Sequence, residues 1–369
     1  MKKTFLYFVI GLMLVAGGYF LSCCDECPTC PAEEESPPLE NYRIYAIDGL
    51  NRFLTSIDTP ADTIVDSIRI DYDAAGLYLP PNGECVMVMN LTDLKMEVYN
   101  AASLEHVETM DQYGDYYFDA TDNYGVWIDI PNDQIRFIDP NTLTPSDSIG
   151  REIRFGYLDT VSNCFYGNDL HVHNLVYKVD CNTRQLVDSM FMRMPLTDTA
   201  LDIVVYQMCY NWLTDDLYYL GVPAANTAFF YVYDCETDSV KTLIRIFGPF
   251  GSIAISPDGT KVFMTDSGDS IFFIIPDGYI FVYDAYSLDI CDLIEPYAYP
   301  GGFVYLPCFG KTLFTPDTRR AYVGAGWYMG GGAPLVTVDL SQNKIINIIS
   351  PYETFSPSDI CLGPVPTLE

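Results

Sequence analysis

Three histidines and twelve cysteines are the side chains of this 369-residue chain best suited to metal or thiol chemistry. His171 and His173 stand two residues apart and would share one face of a strand. Such a pair can begin a zinc site, but no third ligand is visible in the pattern, so a strand or loop surface is the reading. Cys24, Cys27 and Cys30 form two overlapping C-x-x-C spacings. Zinc there would lack a fourth ligand, and no His follows either motif, which excludes covalent haem attachment. A local disulfide or unpaired thiols remain. His106 reads as structural, and three histidines do not assemble a Ser-His-Asp or Cys-His catalytic set. Gly330, Gly331 and Gly332 are followed by neither a Lys nor a helix, so they form no phosphate cradle.

The elements that would have to position any site come from a repeat. One pattern recurs seven times, as IYAIDGLNRFLTSI, MEVYNAASLEHVETM, IRFIDPNTLTPSDSI, VYKVDCNTRQLVDSM, YVYDCETDSVKTLI, FVYDAYSLDICDLI and VTVDLSQNKIINII. Each copy is an alternating apolar strand, an acid or amide, a short turn and a second strand. The anchoring residues are Asp48, Asn100, Asp139, Asp180, Asp234, Asp284 and Asp339. They lie about 40 to 55 residues apart, the length of one four-stranded propeller blade.

A short carboxylate or amide at such a point accepts hydrogen bonds from backbone N–H groups two or three residues on, which closes a hairpin. Three residues later stand Asn51, Ser103, Thr142, Thr183, Thr237, Ser287 and Gln342, all polar. The seven acids and amides are therefore structural turn residues, not a catalytic ring.

A tight turn and strand precede several copies, most clearly at SPDGTKVFMTD. Each unit then reads strand A, tight turn, strand B, variable loop, strand C, Asp turn, strand D. The first copy is expected to be a C–D pair over residues 42–57, and the C-terminal SPSDICLGPVPTLE to supply strand A and a short B. The fold class that follows is all-β: a seven-bladed β-propeller of four-stranded antiparallel blades, closed by N- and C-terminal strands that share one blade.

Residues 1–22 read as a signal peptide. Lys2 and Lys3 precede an apolar run from Phe5 to Leu21, and Ser22 offers a small residue before Cys23. The layout resembles the bacterial lipoprotein signal, which implies lipid attachment at Cys23. A plain signal peptide or an uncleaved anchor is the alternative. Residues 23–40 then form the lipidated Cys and a Pro- and Glu-rich tether, and residues 41–369 the propeller. The expected location is the bacterial cell envelope, at an outer membrane or cell surface, with membrane contact only through the lipid.

The formal net charge of −31 disfavours nucleic acid and anionic headgroups as partners. It suits cations, basic partners or plain solubility.

At SPDGTKVFMTDSGDS, with FVYDAYSLDICDLI downstream, the chain resembles the YVTN family of β-propeller repeat proteins. Thr265-Asp266 stands where Thr-Asn is usual in that family. The motif is structural, so it implies a fold and hardly an activity. Related seven-bladed propellers include lactonases with a divalent metal in the central channel; no motif here transfers those ligands residue by residue.

Strand A lines the channel of a propeller, and acids stand at its entrances: Asp71, Asp73, Asp115, Asp119, Asp159 and Asp202. Their convergence at one mouth would hold Ca²⁺, the one cofactor to consider, although no cofactor is identified by a motif. Export permits disulfides, and pairing of Cys164 with Cys181 and of Cys209 with Cys235 is expected because the A–B and C–D turns share one end of a blade. The leading functional expectation is an envelope-anchored binding or scaffold module for a protein or carbohydrate ligand. Its rival is a metal-dependent, lactonase-like hydrolase working from the channel.

Overall fold

The computed structural model describes residues 41–48, 51–59, 61–119, 124–172, 174–192, 203–223, 228–246, 250–266, 279–295, 297–298, 304–305, 309–325, 334–350 and 357–365. These residues form seven four-stranded antiparallel sheets, the blades of a β-propeller. A two-stranded ribbon, Tyr297–Ala298 with Val304–Tyr305, lies between the last two blades. The helical content among the described residues is one 3₁₀ turn, Ile130–Asn132.

Alternation explains the packing. Strand B carries nearly unbroken burial, as in Gly125–Asp129 and Cys164–Asp169, because both faces of a blade are covered by its neighbours. Strand D is largely exposed, as in Thr63–Arg69 and His106–Met110. The core is correspondingly divided into seven clusters, one in each wedge between successive blades. Tyr45, Ile47 and Leu54 meet Leu77, Val86 and Val88 across one such wedge. Ile44 and Ile57 meet Tyr322 and Leu335 across another, on the opposite face of the same blade.

Closure differs from the sequence expectation. The N-terminal segment supplies three strands, not two: Tyr42–Asp48, Phe53–Asp58 and Thr63–Arg69. The C-terminal segment supplies one, Pro357–Pro364, which pairs along Tyr42–Asp48 as the inner strand. We call this the first blade and number the rest in chain order. Asp48 therefore caps a B–C turn, where Asn51 donates to it from both its backbone N (3.0 Å) and its side-chain Nδ2 (2.7 Å). The C–D turn of this blade begins ten residues later, at Asp58. Its signature is the residue four beyond the turn acid, which has positive φ in every blade: Asp62, Leu104, Leu143, Arg184, Asp238, Leu288 and Asn343.

In the other six blades the turn geometry is regular. Asn100 Oδ1 accepts from the backbone N of Ala102 and Ser103, both at 2.9 Å. Asp284 Oδ1 accepts from Tyr286 and Ser287 at 2.9 and 2.8 Å. Asp139, Asp180, Asp234 and Asp339 repeat the pattern. The backbone N–H groups of Thr183, Thr237 and Ser287 hold the carboxyls of Asp180, Asp234 and Asp284 below the usual range.

Every C–D pair also contains a register shift. The strand-D residue left over is Val65, Val107, Ser146, Val187, Lys241, Cys291 or Ile346. The next residue is an acid in five blades: Asp66, Glu108, Asp147, Asp188 and Asp292. A bulge followed by a charge bends and blunts an outer edge that would otherwise template another strand. Part of the large negative charge thus sits on the propeller's rim.

Candidate functional site

The inner strands define the channel, and register sets which side chains share a level. On strand A, the partners of Ala46, Val88, Trp127, Gly167, Tyr219, Met264 and Val323 on strand B are Ile360, Leu77, Tyr116, Gly156, Met208, Ile253 and Thr312. The residue just before each of these lies at a common height. Going round the ring, that level reads Asp359, Gly76, Asp115, Phe155, Gln207, Ser252 and Lys311.

This level is a largely polar girdle, and four of its side chains, Asp359, Gln207, Ser252 and Lys311, reach the next blade. Strand A is the inner edge of its sheet, so part of its backbone lacks a strand partner. Asp359 accepts from the backbone N of Leu77 at 2.8 Å, and Gln207 Oε1 accepts from that of Ile253 at 3.0 Å. Ser252 Oγ meets Thr312 Oγ1 at 2.8 Å, and Lys311 Nζ lies 3.7 Å from Asp359 Oδ1. Two residues along, Tyr78 donates to Asp115 at 2.6 Å and Tyr117 accepts from the backbone N of Gly156 at 2.9 Å.

Burial, reinforced by the charge of Asp359, raises the Asp115 carboxyl above its usual range, against the Tyr78 hydrogen bond and Lys311. Tyr78 is itself pushed well up by burial and by Asp115. Gly76 is required at its place in the girdle: a Cβ there would run into the Tyr78 hydroxyl.

The acids expected to converge at one mouth do not. Asp71 and Asp73 precede their strand A, and Asp73 pairs outward with Arg52 at 2.7 Å. Asp159 ends its strand, at the opposite mouth, and accepts from the backbone N of Val161 (3.1 Å) and Ser162 (3.0 Å) in the A–B turn. Asp119 follows its strand and is buried. Asp202 and His173 lie outside the described residues, as do Gly330 to Gly332, Cys23 and the tether. His171 pairs with Glu152, and His106 Nε2 donates to Glu97 at 2.9 Å. Among the described residues, no three His, Cys, Asp or Glu side chains gather in a way that could hold a metal.

The two expected disulfides are absent: Cys164, Cys181, Cys209 and Cys235 are free thiols. Neighbouring turns were the right reason for proximity, but alternation puts the sulfurs on opposite faces of the blade. Cys164 packs into the wedge between the fourth and fifth blades, whereas Cys181 packs into the wedge between the third and fourth. Cys235 lines the first of these wedges and Cys209 the wedge between the fifth and sixth blades.

One recurrent feature was not anticipated. The third residue of strand B is Tyr45, Tyr166, Tyr218 or Tyr322 in four blades, counted from the partner of the C–D turn acid. Tyr45 donates to the Ala101 carbonyl at 2.9 Å and Tyr218 to that of Ala285 at 3.0 Å, each in the C–D turn of the next blade. Tyr322 donates to Asp62 at 2.8 Å. Cys181, buried, and Cys235, half-buried, occupy the position of these alanines, where a small side chain is needed. The signal was present in RIYAID, CFYGND, DLYYLG and RAYVGA, all with Tyr at the third position.

The described residues thus define a seven-bladed β-propeller whose channel polar groups hold adjacent blades together. No family model matches the sequence, and no curated protein matches it either. Solved structures do resemble it. The dihydro-heme d1 dehydrogenase NirN aligns with 90% of this chain and 77% of its own, at 14% identity and a TM-score of 0.55. A functionally unknown protein from Desulfotomaculum acetoxidans DSM 771 aligns over 88% of this chain and 99% of its own, at 12% identity and a TM-score of 0.60. The Swd1 β-propeller domain from Myceliophteria thermophila aligns over 79% and 91%, at 10% identity and a TM-score of 0.54. Identities this low carry the fold alone.

Proposed function

We propose that this chain is an envelope-anchored β-propeller of the YVTN repeat type, acting as a binding or scaffold module for a protein or carbohydrate ligand. The observation that carries the reading is the use made of the channel carboxylates. Asp359 caps a neighbouring backbone N–H and Asp115 receives the Tyr78 hydroxyl, so both work in joining blades. Fold neighbours of varied description are compatible with a scaffold on which function is carried by surfaces. Signal residues 1–22, Cys23 as the lipidated residue and the spacer up to residue 40 supply the anchor, and no nucleic acid partner suits the charge.

Two measurements test this. Palmitate incorporation and membrane fractionation should both be lost in Cys23→Ser. Calorimetric titration of chelator-treated protein with CaCl₂ should give no saturable heat and no melting shift. A stoichiometric calcium heat abolished by Asp115→Asn would move the reading to the lactonase-like hydrolase.

A further inference from the structure

We propose that the end of the propeller carrying the A–B and C–D turns of the fourth to sixth blades rests on a zwitterionic lipid surface through Trp212, Leu213, Val161 and Tyr286. This rests on the anchor reading above. These four side chains are 42%, 36%, 57% and 64% exposed. They belong to consecutive blades: Val161 and Trp212-Leu213 sit in the A–B turns of the fourth and fifth, and Tyr286 in the C–D turn of the sixth.

The turns of the fifth and sixth blades touch. Asn211 Nδ2 donates to the Gly259 carbonyl at 2.8 Å, and a Cβ on Gly259 would lie 3.0 Å from that of Leu213.

The occupant follows from where the chain outside the structure begins. Tyr42 opens the first strand and pairs with Pro364, the last residue of the inner strand, so both chain ends leave from this same end of the blades. A Cβ on Gly83, in the A–B turn of the second blade, would meet the Pro364 ring, which places that exit among the turns. The segment joining Cys23 to residue 41 therefore meets the propeller at this end. Its seventeen intervening residues, rich in Pro and Glu, are long enough to leave orientation undecided by themselves. Tethering raises the local concentration of surface, and weak apolar contacts then decide which way the domain settles.

Trp and Tyr prefer the headgroup level, with an apolar ring and a polar edge. At the other end, the B–C turns of the second to fourth blades expose Leu91, Leu94, Ile130, Leu170 and Val172, all aliphatic and left facing outward. The acidic surface restricts the lipid to uncharged or zwitterionic headgroups.

The test uses the full lipidated chain in phosphatidylcholine vesicles with brominated acyl chains. In a Trp327→Phe background, tryptophan emission should be quenched relative to unbrominated vesicles, and Trp212→Phe should abolish the quenching while flotation with the vesicles is unchanged. Trp127 is buried and serves as the internal reference. Flotation without Trp212 quenching overturns the proposal and leaves the anchor intact. Failure of palmitate labelling overturns the anchor instead. The quench is then read with the protein held on nickel-chelating vesicles by an N-terminal His tag, where its absence refutes the patch. Concentration-dependent dimerisation of the Cys23→Ser protein, lost in Trp212→Ala, would assign this surface to a second copy and overturn the lipid contact.

Discussion

Asp62 holds the seam where the ring closes, and its removal should be among the most costly single changes in the molecule. It lies in the C–D turn of the first blade with its side chain 4% exposed, and it faces the seventh blade. Tyr322 donates to it at 2.8 Å, Asn347 Nδ2 at 3.2 Å, and Arg320 Nη1 lies at 3.4 Å. Deleting one partner of a buried ion pair costs about 3–5 kcal/mol. Arg320 is 16% exposed, so some water reaches it and the lower end applies. The positive φ of 53° at Asp62 adds about 1 kcal/mol for Ala, whereas Asn tolerates that conformation.

We expect about 4 kcal/mol for Asp62→Ala and about 1.5 kcal/mol for Asp62→Asn, which keeps the shape and loses the charge. For a domain of this size the alanine change lowers Tm by roughly 8 °C. Urea unfolding of the Cys23→Ser protein reads the energies, and hydrogen exchange at Ala321–Val323 and Ile44–Ala46 reads the locality. An Asp62→Ala loss under about 1 kcal/mol, or exchange that rises evenly around the ring, would refute the argument that this contact secures closure.

Three further expectations rest on other contacts. Gly76→Ala should displace Tyr78 from Asp115 and cost about 1–3 kcal/mol by overpacking, while Tyr78→Phe combined with it should add little; urea midpoints of the three variants decide. Tyr45→Phe and Tyr218→Phe should each cost about 1 kcal/mol, and their double variant the sum, because they serve separate wedges; marked non-additivity would count against independent clasps.

Burial pushes the thiols of Cys85, Cys181 and Cys235 up to about 11, 12 and 12, from an ordinary 9.0. These thiols stay protonated in the fold when the unfolded chain would ionise them, so their contribution is whole below pH 9 and declines as pH climbs toward 12. Urea midpoints should fall over that window and be indifferent to dithiothreitol at pH 7; a reductant-induced loss would reinstate disulfides.

Most of the architecture could be read from local chemistry, because six of the seven C–D turns advertise themselves with an acid or amide and a polar residue three positions on. The first blade misled for the same reason. Asp48 and Asn51 satisfy that pattern in a B–C turn, whereas the true turn acid, Asp58, has Ala61 at the third position. The spacing encodes the chemistry of the turn and not its place in the blade. The cysteine pairing failed on a single alternation: Cys164 lies opposite Asp180, so the next residue, Cys181, faces the other wedge.

The channel girdle was less accessible still. Asp359, Gly76, Asp115 and Lys311 share a height only once four separate registers, most of them bulged, are known. No spacing along the chain encodes that.

The division of the first blade into three early strands and one late one has a consequence for the order of assembly. Residues 42–69 are synthesised before every other blade, yet their innermost neighbour, Pro357–Pro364, is made only after all six of the others. Until it arrives, Ile44 and Ala46 have no strand beside them toward the axis, and the girdle lacks Asp359. A truncation that spares six whole blades but removes Pro357–Pro364 therefore yields an open arc with two raw borders, a natural substrate for proteolysis.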